Sequence, residues 1–514
     1  MSRLAAAHVA VRAAVLTAVL TVAAMLAWAQ TSAHAAGQEG VPQNIHKYTL
    51  DNGLRVILVE RHHAPVVHVN LMFGVGRVDE PPGLSGIAHM AEHMAAVGSG
   101  ELSSFDLEAE RLVLQELEDV VAALKEAERA AAAGEDRSAE IAELRARFAA
   151  VKAEAETLYQ PYLVLSLLIS NGAVGLQGST ASDMTYYVAS LPKNRFELWA
   201  RLVGDGLREP IMRHFYNEIE VVRTERFVRM QDPWIFLYER LLAEAFQVHP
   251  YGRDHREIFD FDNYTARAAR AFWDAYYIPR RAVLAVAGDI DPEETLAIIR
   301  RYFGGLPSRP DPGDEIPAEP PQQSERRVTV TLDAEPRLVI GYRRPTYPHR
   351  DAYALDVIHR ILMGTVLTTR HPSPMMTYEP MATVSGIPSF PGVRYPNLLM
   401  FQFMPVRPHG PEEVEQVFYE EIERLKTELV DPETLQIAKN RIRAAHIYSL
   451  ESEPNLIHQL SLYELFLGGW EKLFEYPDII DTITAEEGRD AARRDLTGEN
   501  RTVAVLLPER GDAQ

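Results

Sequence analysis

Apolar and polar positions change period several times along this chain, and each change predicts an element. In KYTLDNGLRVILVE the pattern reads as a strand, a turn at Asp51-Asn52-Gly53 and a second strand over Leu54–Val59. VVHVNLMFGVG predicts another strong strand. The period then lengthens. After Pro81-Pro82-Gly83-Leu84-Ser85-Gly86, the apolar residues Ile87, Met90 and Met94 recur at helical spacing. From Phe105 to about Leu158 the residues are mostly Ala, Glu, Leu, Lys and Arg. Two stretches there are amphipathic at helical spacing and are broken at 133–136, which predicts an antiparallel helical hairpin inserted over 101–160. Such a charged, Ala-rich hairpin is expected to project into solvent.

Strand-like spacing returns in GAVGLQGSTASDMTYYVASLP, where Thr180, Ser182 and Thr185 alternate with other residues. Helices are expected at ARLVGDGL, NEIEVVRTERF, WIFLYERLLAEAF and ARAARAFWDAYY. RRAVLAVAGDI reads as a buried strand, and Asp291-Pro292 opens the helix DPEETLAIIRRYF as N-cap and first-turn residue. Residues 307–321 hold six prolines and several acids, the clearest linker in the chain. Beyond it RRVTVTLDAEPRLVIGYRRP supplies two strands. AARAFWDAYYIPRRAVLAVAGD and GRDAARRDLTGENRTVAVLLP both run helix, turn, strand, a weak internal repeat. The expected fold class is α+β. Two similar domains at 45–305 and 326–510, each an antiparallel sheet with helices packed on it, flank a linker at 306–325.

Composition narrows the chemistry. A chain of 514 residues, 46% hydrophobic and 24% charged, suits a globular protein of more than one domain. A net charge of −21 without basic clusters argues against nucleic acid as a partner. The chain has no cysteine, so neither disulfides nor thiolate ligands enter. At the N-terminus, Arg3 and Arg12 accompany an apolar run over Ala13–Trp28, and Ala33-His34-Ala35 offers a cleavage site. Residues 1–35 therefore read as an export signal of a periplasmic or secreted bacterial protein, with an uncleaved anchor as the alternative. No other stretch is apolar and long enough to span a bilayer.

The candidate chemistry lies in His89-Met90-Ala91-Glu92-His93. Two histidines four apart on a helix project from one face and can share one tetrahedral Zn²⁺. Glu92 leans over the same face, poised to take a proton from a water that the metal acidifies. This H-x-x-E-H order inverts the commoner H-E-x-x-H. A third ligand is needed, and Glu218 and Glu225, seven apart, share one helical face with Val221 and Val222 between them as the packing side. An ordinary charged helix fits the same spacing. His62, His63 and His68 are expected to be structural or surface residues. His359, His371, His409, His446 and His458 are too scattered for a site.

GLSGIAHMAEHM, followed downstream by the E-x6-E helix and a Gln231-Asp232-Pro233 turn, resembles the insulinase/pitrilysin family of zinc peptidases. It is most similar to the short two-domain branch that includes the mitochondrial processing peptidase and bacterial relatives. The resemblance runs from about Tyr48 to about Pro508. It implies that His89, His93 and Glu225 bind one Zn²⁺ per chain, that Glu92 is the general base, and that Glu218 supports the site. It also implies that Gln177, Gly178, Ser179 and Thr180 form an edge strand to which an extended peptide is added. Gln177-Gly178 stands where the family usually has Asn-Ala.

The function expected on this basis is zinc-dependent hydrolysis of peptide bonds in extended or unfolded peptides. Family members that grip the substrate from the second half carry a Gly-rich loop, then Arg and Tyr seven apart. In MGTVLTTRHPSPMMTYEPMATVSG the glycines shrink to Gly364, and Met376 and Thr383 stand in those places. Arg370 and Tyr378 are eight apart and do not carry the pair over. The expected assembly is therefore a clam-shell heterodimer with a homologous non-catalytic subunit, with a homodimer as runner-up. A non-catalytic assembly subunit, or a peptide-binding protein of the same fold, is the alternative.

Overall fold

Eleven strands form two mixed sheets in the computed structural model, which describes residues 42, 44–96, 100–253, 260–313, 315–365 and 381–509. The first half contributes β1 (Ile45–Thr49), β2 (Arg55–Glu60), β3 (Val66–Phe73), α1 (Ile87–Ala96), α2 (Leu107–Ala132), α3 (Ser138–Ala155), α4 (Leu163–Ser170), β4 (Val174–Thr180) and β5 (Thr185–Pro192). It continues with α5 (Phe196–Arg208), α6 (Phe215–Met230), α7 (Pro233–Ala245), α8 (Ala266–Tyr276), β6 (Ala282–Gly288) and α9 (Pro292–Phe303). The second half holds β7 (Arg326–Leu332), β8 (Arg337–Arg344), α10 (Arg350–Thr365), β9 (Ala382–Phe390) and β10 (Asn397–Pro405). It ends with α11 (Pro411–Thr427), α12 (Pro432–Ser449), α13 (Glu453–Phe466), α14 (Lys472–Asp481), α15 (Ala485–Asp495) and β11 (Arg501–Pro508).

The sheets run β1-β2-β6-β3-β5-β4 and β7-β11-β8-β10-β9. Leaving out β1, the two orders are the same, which is the internal repeat in three dimensions. In each half the last strand slots between the first and the next, parallel to one and antiparallel to the other. The α+β class holds, but the sheets are mixed rather than antiparallel throughout. A strand that returns after several helices can enter in either direction, and side-chain alternation does not record which.

The halves exchange helices. Leu237, Leu241, Leu242 and Ala245 of α7, from the first half, pack with Val339, Leu398, Met400 and Ala504 of the second sheet. In return α13 lies on the first sheet: Asn70 of β3 donates to Ser461 Oγ and Ile457 O, and Arg55 of β2 donates to Glu464 O. His46 to the C-terminus accordingly forms one compact unit. The proline-rich segment between the sheets is also tied down. Glu319 accepts the backbone N–H groups of Gln247, Val248 and His249, and Asp311 takes the Arg281 guanidinium.

The helical hairpin forms where its pattern places it, with one difference. Leu117, Val121 and Ala127 of α2 are buried, whereas α3 buries only Val151 and Ala155. Instead of projecting, α2 lies along the body: Glu118 accepts from Tyr216 Oη and Arg267 N, and Lys125 donates to Asp262 O. The N-terminal segment read as an export signal lies outside the described residues, as do 366–380, which hold Arg370, His371, Met376 and Tyr378. Among the described residues no helix is long and apolar enough to cross a membrane.

Candidate metal centre

The site is built on α1. Ile87, Ala88, Met90, Ala91 and Met94 are fully buried, and this fixes the helix's rotation. His89 and His93 are thereby left half-buried, with the buried Glu92 beside them. The start of α1 is held by Glu80, whose carboxylate accepts Gly86 N at 2.8 Å and Ala88 N at 3.0 Å. A carboxylate there satisfies orphan N–H groups and complements the helix dipole. Tyr277 Oη donates to Ala88 O at 3.1 Å, and Tyr187 Oη to Glu92 O at 3.3 Å.

The facing helix is α6. Glu218 and Val222 are buried, and Glu225 is half-exposed. Val221, expected on the packing side, is exposed, because it lies one helical step, about 100°, away from Val222. Nε2 of His89 and of His93 stand 3.5 and 3.6 Å from the same Oε2 of Glu225. Metal–ligand bonds of about 2.0–2.1 Å at tetrahedral angles hold neighbouring donors about 3.3 Å apart. These three residues, with donor atoms mutually within 4.8 Å, therefore fit a small divalent cation. They form the one such group among the described residues.

Behind the donors, Glu218 Oε2 accepts from His93 Nδ1 at 2.7 Å, and Tyr162 Oη donates to Glu218 Oε1 at 2.5 Å. A histidine whose far nitrogen is so engaged presents the other lone pair outward. Burial disfavours a charged His93, but the hydrogen bond and charge of Glu218, with Glu92 and Glu225, outweigh it and hold its pKa above the ordinary value. His89 is pushed down to about 3 by burial and by the positive charges of His93, Arg77 and Arg229, so it stays a neutral donor. Burial also opposes the charge on Glu218, yet the bonds from His93 and Tyr162 hold its pKa below the usual carboxylate value.

Glu92 meets the edge of the first sheet. β4 is the terminal strand, so among the described residues no further strand pairs with its outer edge. Thr180 Oγ1 donates to Glu92 Oε2 at 2.7 Å, and a Cβ on Gly178 would collide with Glu92 Oε1. Burial raises the Glu92 pKa, partly offset by the Thr180 bond and His93. Ser179 is half-buried and Gln177 exposed. The alternation expected through Thr185 is broken by a turn: Thr185 opens β5 and approaches Thr180 Oγ1 at 3.3 Å from across the hairpin.

Three other described histidines stand elsewhere. His62 bridges Glu60 and Asp289 at the surface, His68 bonds Ser190, and His458 packs against Tyr186. Sequence reasoning missed Arg77, Glu80, Tyr162 and the link from Thr180 to Glu92. Only Glu80 carried a signal, as an acid just ahead of a helix start.

Known proteins now bear on this geometry. The model of the insulinase family (peptidase family M16) matches residues 55–114, and that of the peptidase M16 inactive domain matches 263–442. The chain is 26% identical over 327 residues to the zinc protease PqqE of Helicobacter pylori, covering 61% of this chain and 60% of that protein. It is 27% identical over 349 residues to an uncharacterised zinc protease of Mycobacterium leprae, covering 65% and 76% respectively. In fold it is similar to a protease from Helicobacter pylori (TM-score 0.69, 19% identity, 91% of this chain and 100% of that one). It is also similar to the periplasmic protease PqqL of Escherichia coli (0.65, 14%, 91% and 48%).

Proposed function

Since the chain belongs to the insulinase family of peptidases, we propose that it is a zinc-dependent endopeptidase that cuts extended or unfolded polypeptides. The observation that carries this reading is the convergence of His89, His93 and Glu225 on one point, with the Glu92 carboxylate beside it. A non-catalytic relative has no chemical need for all four.

His89 Nε2, His93 Nε2 and Glu225 Oε2 would hold Zn²⁺. When bound, the ion supplies Lewis-acid polarisation of a scissile carbonyl and acidifies water. Glu92, raised in pKa by burial, accepts the proton of the attacking water and returns it to the departing amine. Thr180 holds that carboxylate toward the strand edge. An extended peptide adds to the free edge of β4 by main-chain hydrogen bonds, which select for backbone over sequence and so for unfolded segments. Glu218 keeps His93 in the donor orientation.

The partner in this reading is a homologous chain without the zinc motif, closing a clam-shell over β4, with a second copy of this chain as runner-up. Export to the periplasm is part of the same reading and rests on residues 1–35.

The test is cleavage of a mixed unfolded-peptide library by the full chain, with Glu92→Gln and a chelator as controls. Loss of cleavage in both is expected. One zinc per chain without cleavage would point to a missing partner subunit. Neither zinc nor cleavage would defeat the reading.

A further inference from the structure

We propose that Tyr162 is a positioning residue for the metal-donor orientation of His93, and that the base of the helical hairpin holds it there; the inference rests on the peptidase reading above. Tyr162 and His214 are the two non-glycine residues with positive φ among the described residues, at 52° and 42°. Bulky L side chains seldom adopt this conformation, and it persists where the surroundings over-determine it. The two residues lie far apart in sequence, one just before α4 and one just before α6. Their rings nonetheless stack, with centroids 5.3 Å and planes 12° apart.

The surroundings that impose this come from both ends of the hairpin. At its start, Glu110 of α2 receives Arg213 in a fully buried fork, with bonds of 2.7 and 3.0 Å. Arg213 immediately precedes His214. Beyond its end, the Tyr159 ring stands edge-on to His214 at 4.6 Å, its hydroxyl 3.3 Å from His214 Nδ1. His214 is thus fixed from two sides, and its ring fixes Tyr162. Tyr162 in turn occupies Glu218 Oε1, while Oε2 takes His93 Nδ1. With both oxygens engaged, rotation of the Glu218 carboxylate would break two bonds, and the His93 ring keeps its Nε2 3.6 Å from Glu225 Oε2. The insertion therefore acts as a brace for a metal donor and not only as surface.

The experiment uses the full chain and two variants. Tyr162→Phe removes only a hydroxyl from a residue that is 42% exposed, so the fold survives, as a thermal melt would verify. His214→Asn keeps a residue tolerant of left-handed backbone and removes the stacked ring. Zinc affinity is measured by competition with a chromophoric chelator. Cobalt-substituted protein gives the visible spectrum, and peptide cleavage gives kcat and KM. Expected for Tyr162→Phe are roughly tenfold weaker zinc binding, a displaced cobalt spectrum, and a lowered kcat at unchanged KM. His214→Asn moves all three in the same direction by less. Wild-type affinity, spectrum and kcat in Tyr162→Phe would overturn the inference and leave the peptidase reading standing. A wild-type chain that neither binds zinc nor cleaves would defeat that reading and this inference with it.

Discussion

Thr180 Oγ1 donates a 2.7 Å hydrogen bond to Oε2 of Glu92, so the terminal strand β4 and the carboxylate beside the three candidate metal donors are joined by one bond. The hydroxyl is backed by Thr185 Oγ1 at 3.3 Å, itself within 3.0 Å of Tyr277 Oη. Because Tyr277 also reaches Ala88 O, the polar chain returns to the helix that carries Glu92. Thr180→Val keeps the shape and removes the donor. A bond to a charged acceptor is worth about 1.5–3 kcal/mol, and each ~1.4 kcal/mol is tenfold in rate. A fall in kcat/KM of at least about tenfold is expected, with zinc content unchanged. Thr180→Ser should restore most of it. Equal activity in Thr180→Val would show that the bond does not orient Glu92.

Gly178 makes a sharper demand. A methyl group there would meet the end of the Glu92 side chain, which is flexible and can swing aside. Stability should therefore fall in Gly178→Ala by no more than the Thr180 bond that the displaced carboxylate gives up, about 1.5–3 kcal/mol. Activity should fall by roughly a hundredfold, the scale of a misplaced general base. Chemical denaturation alongside peptide cleavage measures both. A variant that keeps wild-type activity would show that Glu92 does not need the room that Gly178 leaves.

Much of the candidate metal centre was legible because its residues sit at short fixed spacings. His89, Glu92 and His93 occupy one helical turn, and Glu218 and Glu225 two turns, so periodicity alone sets each group on a face. Nothing local joins α1 to α6; the resemblance supplied that pairing, and the fold brings the two helices together. Tyr162 and Thr180 stayed illegible for the same reason. Their partners, Glu218 and Glu92, are 56 and 88 residues away. The helix exchange was equally hidden. An apolar stripe on α7 or α13 says which face is buried but not which sheet covers it. Val221 was misread because adjacent helical positions diverge by about 100° and only one can face the core.

Asp495 gives the chain a pH dependence away from the site. Its carboxyl is pushed up to about 6 by burial and by the neighbouring charge of Asp351, against the opposing pull of Arg494. The native state thus holds a proton that the unfolded chain releases near pH 4. Between those values the native state binds more protons than the unfolded one, so stability contributed here falls as pH rises through about 6. Asp495→Asn mimics the protonated form at every pH. Relative to wild type it should melt higher at pH 8, with the difference vanishing near pH 4. Thermal melts at both values measure this, and an equal shift at the two would contradict it.

The last prediction concerns the seam between the halves. Asp79, whose side chain is 1% exposed, lies between Arg281 Nη1 at 3.5 Å and Arg394 Nη1 at 3.1 and 3.2 Å. Arg281 belongs to the first half and Arg394 to the β9–β10 loop of the second. Burial raises the Asp79 pKa, and the two guanidinium groups oppose that. The same loop is fastened again by Asp183, which accepts Val393 N at 2.6 Å, Arg394 N at 2.9 Å and Tyr251 Oη at 2.7 Å. Asp183 lies in the turn that follows Thr180. Arg394→Met would leave Asp79 buried with Arg281 at the longer distance and the Gly76 N–H at 2.9 Å. Breaking a buried pair from one side costs about 3–5 kcal/mol, and the lower end is expected because Arg281 stays. The double variant Asp79→Asn, Arg394→Met should be less destabilised than the sum of the singles, since the two share one interaction. Kinetic loss should accompany the unfolding loss, because the loosened turn ends the strand that holds Glu92 through Thr180. Urea unfolding of the three variants measures the coupling. Strict additivity would mean that Asp79 draws its compensation from Arg281 and the Gly76 N–H and that the seam does not depend on Arg394.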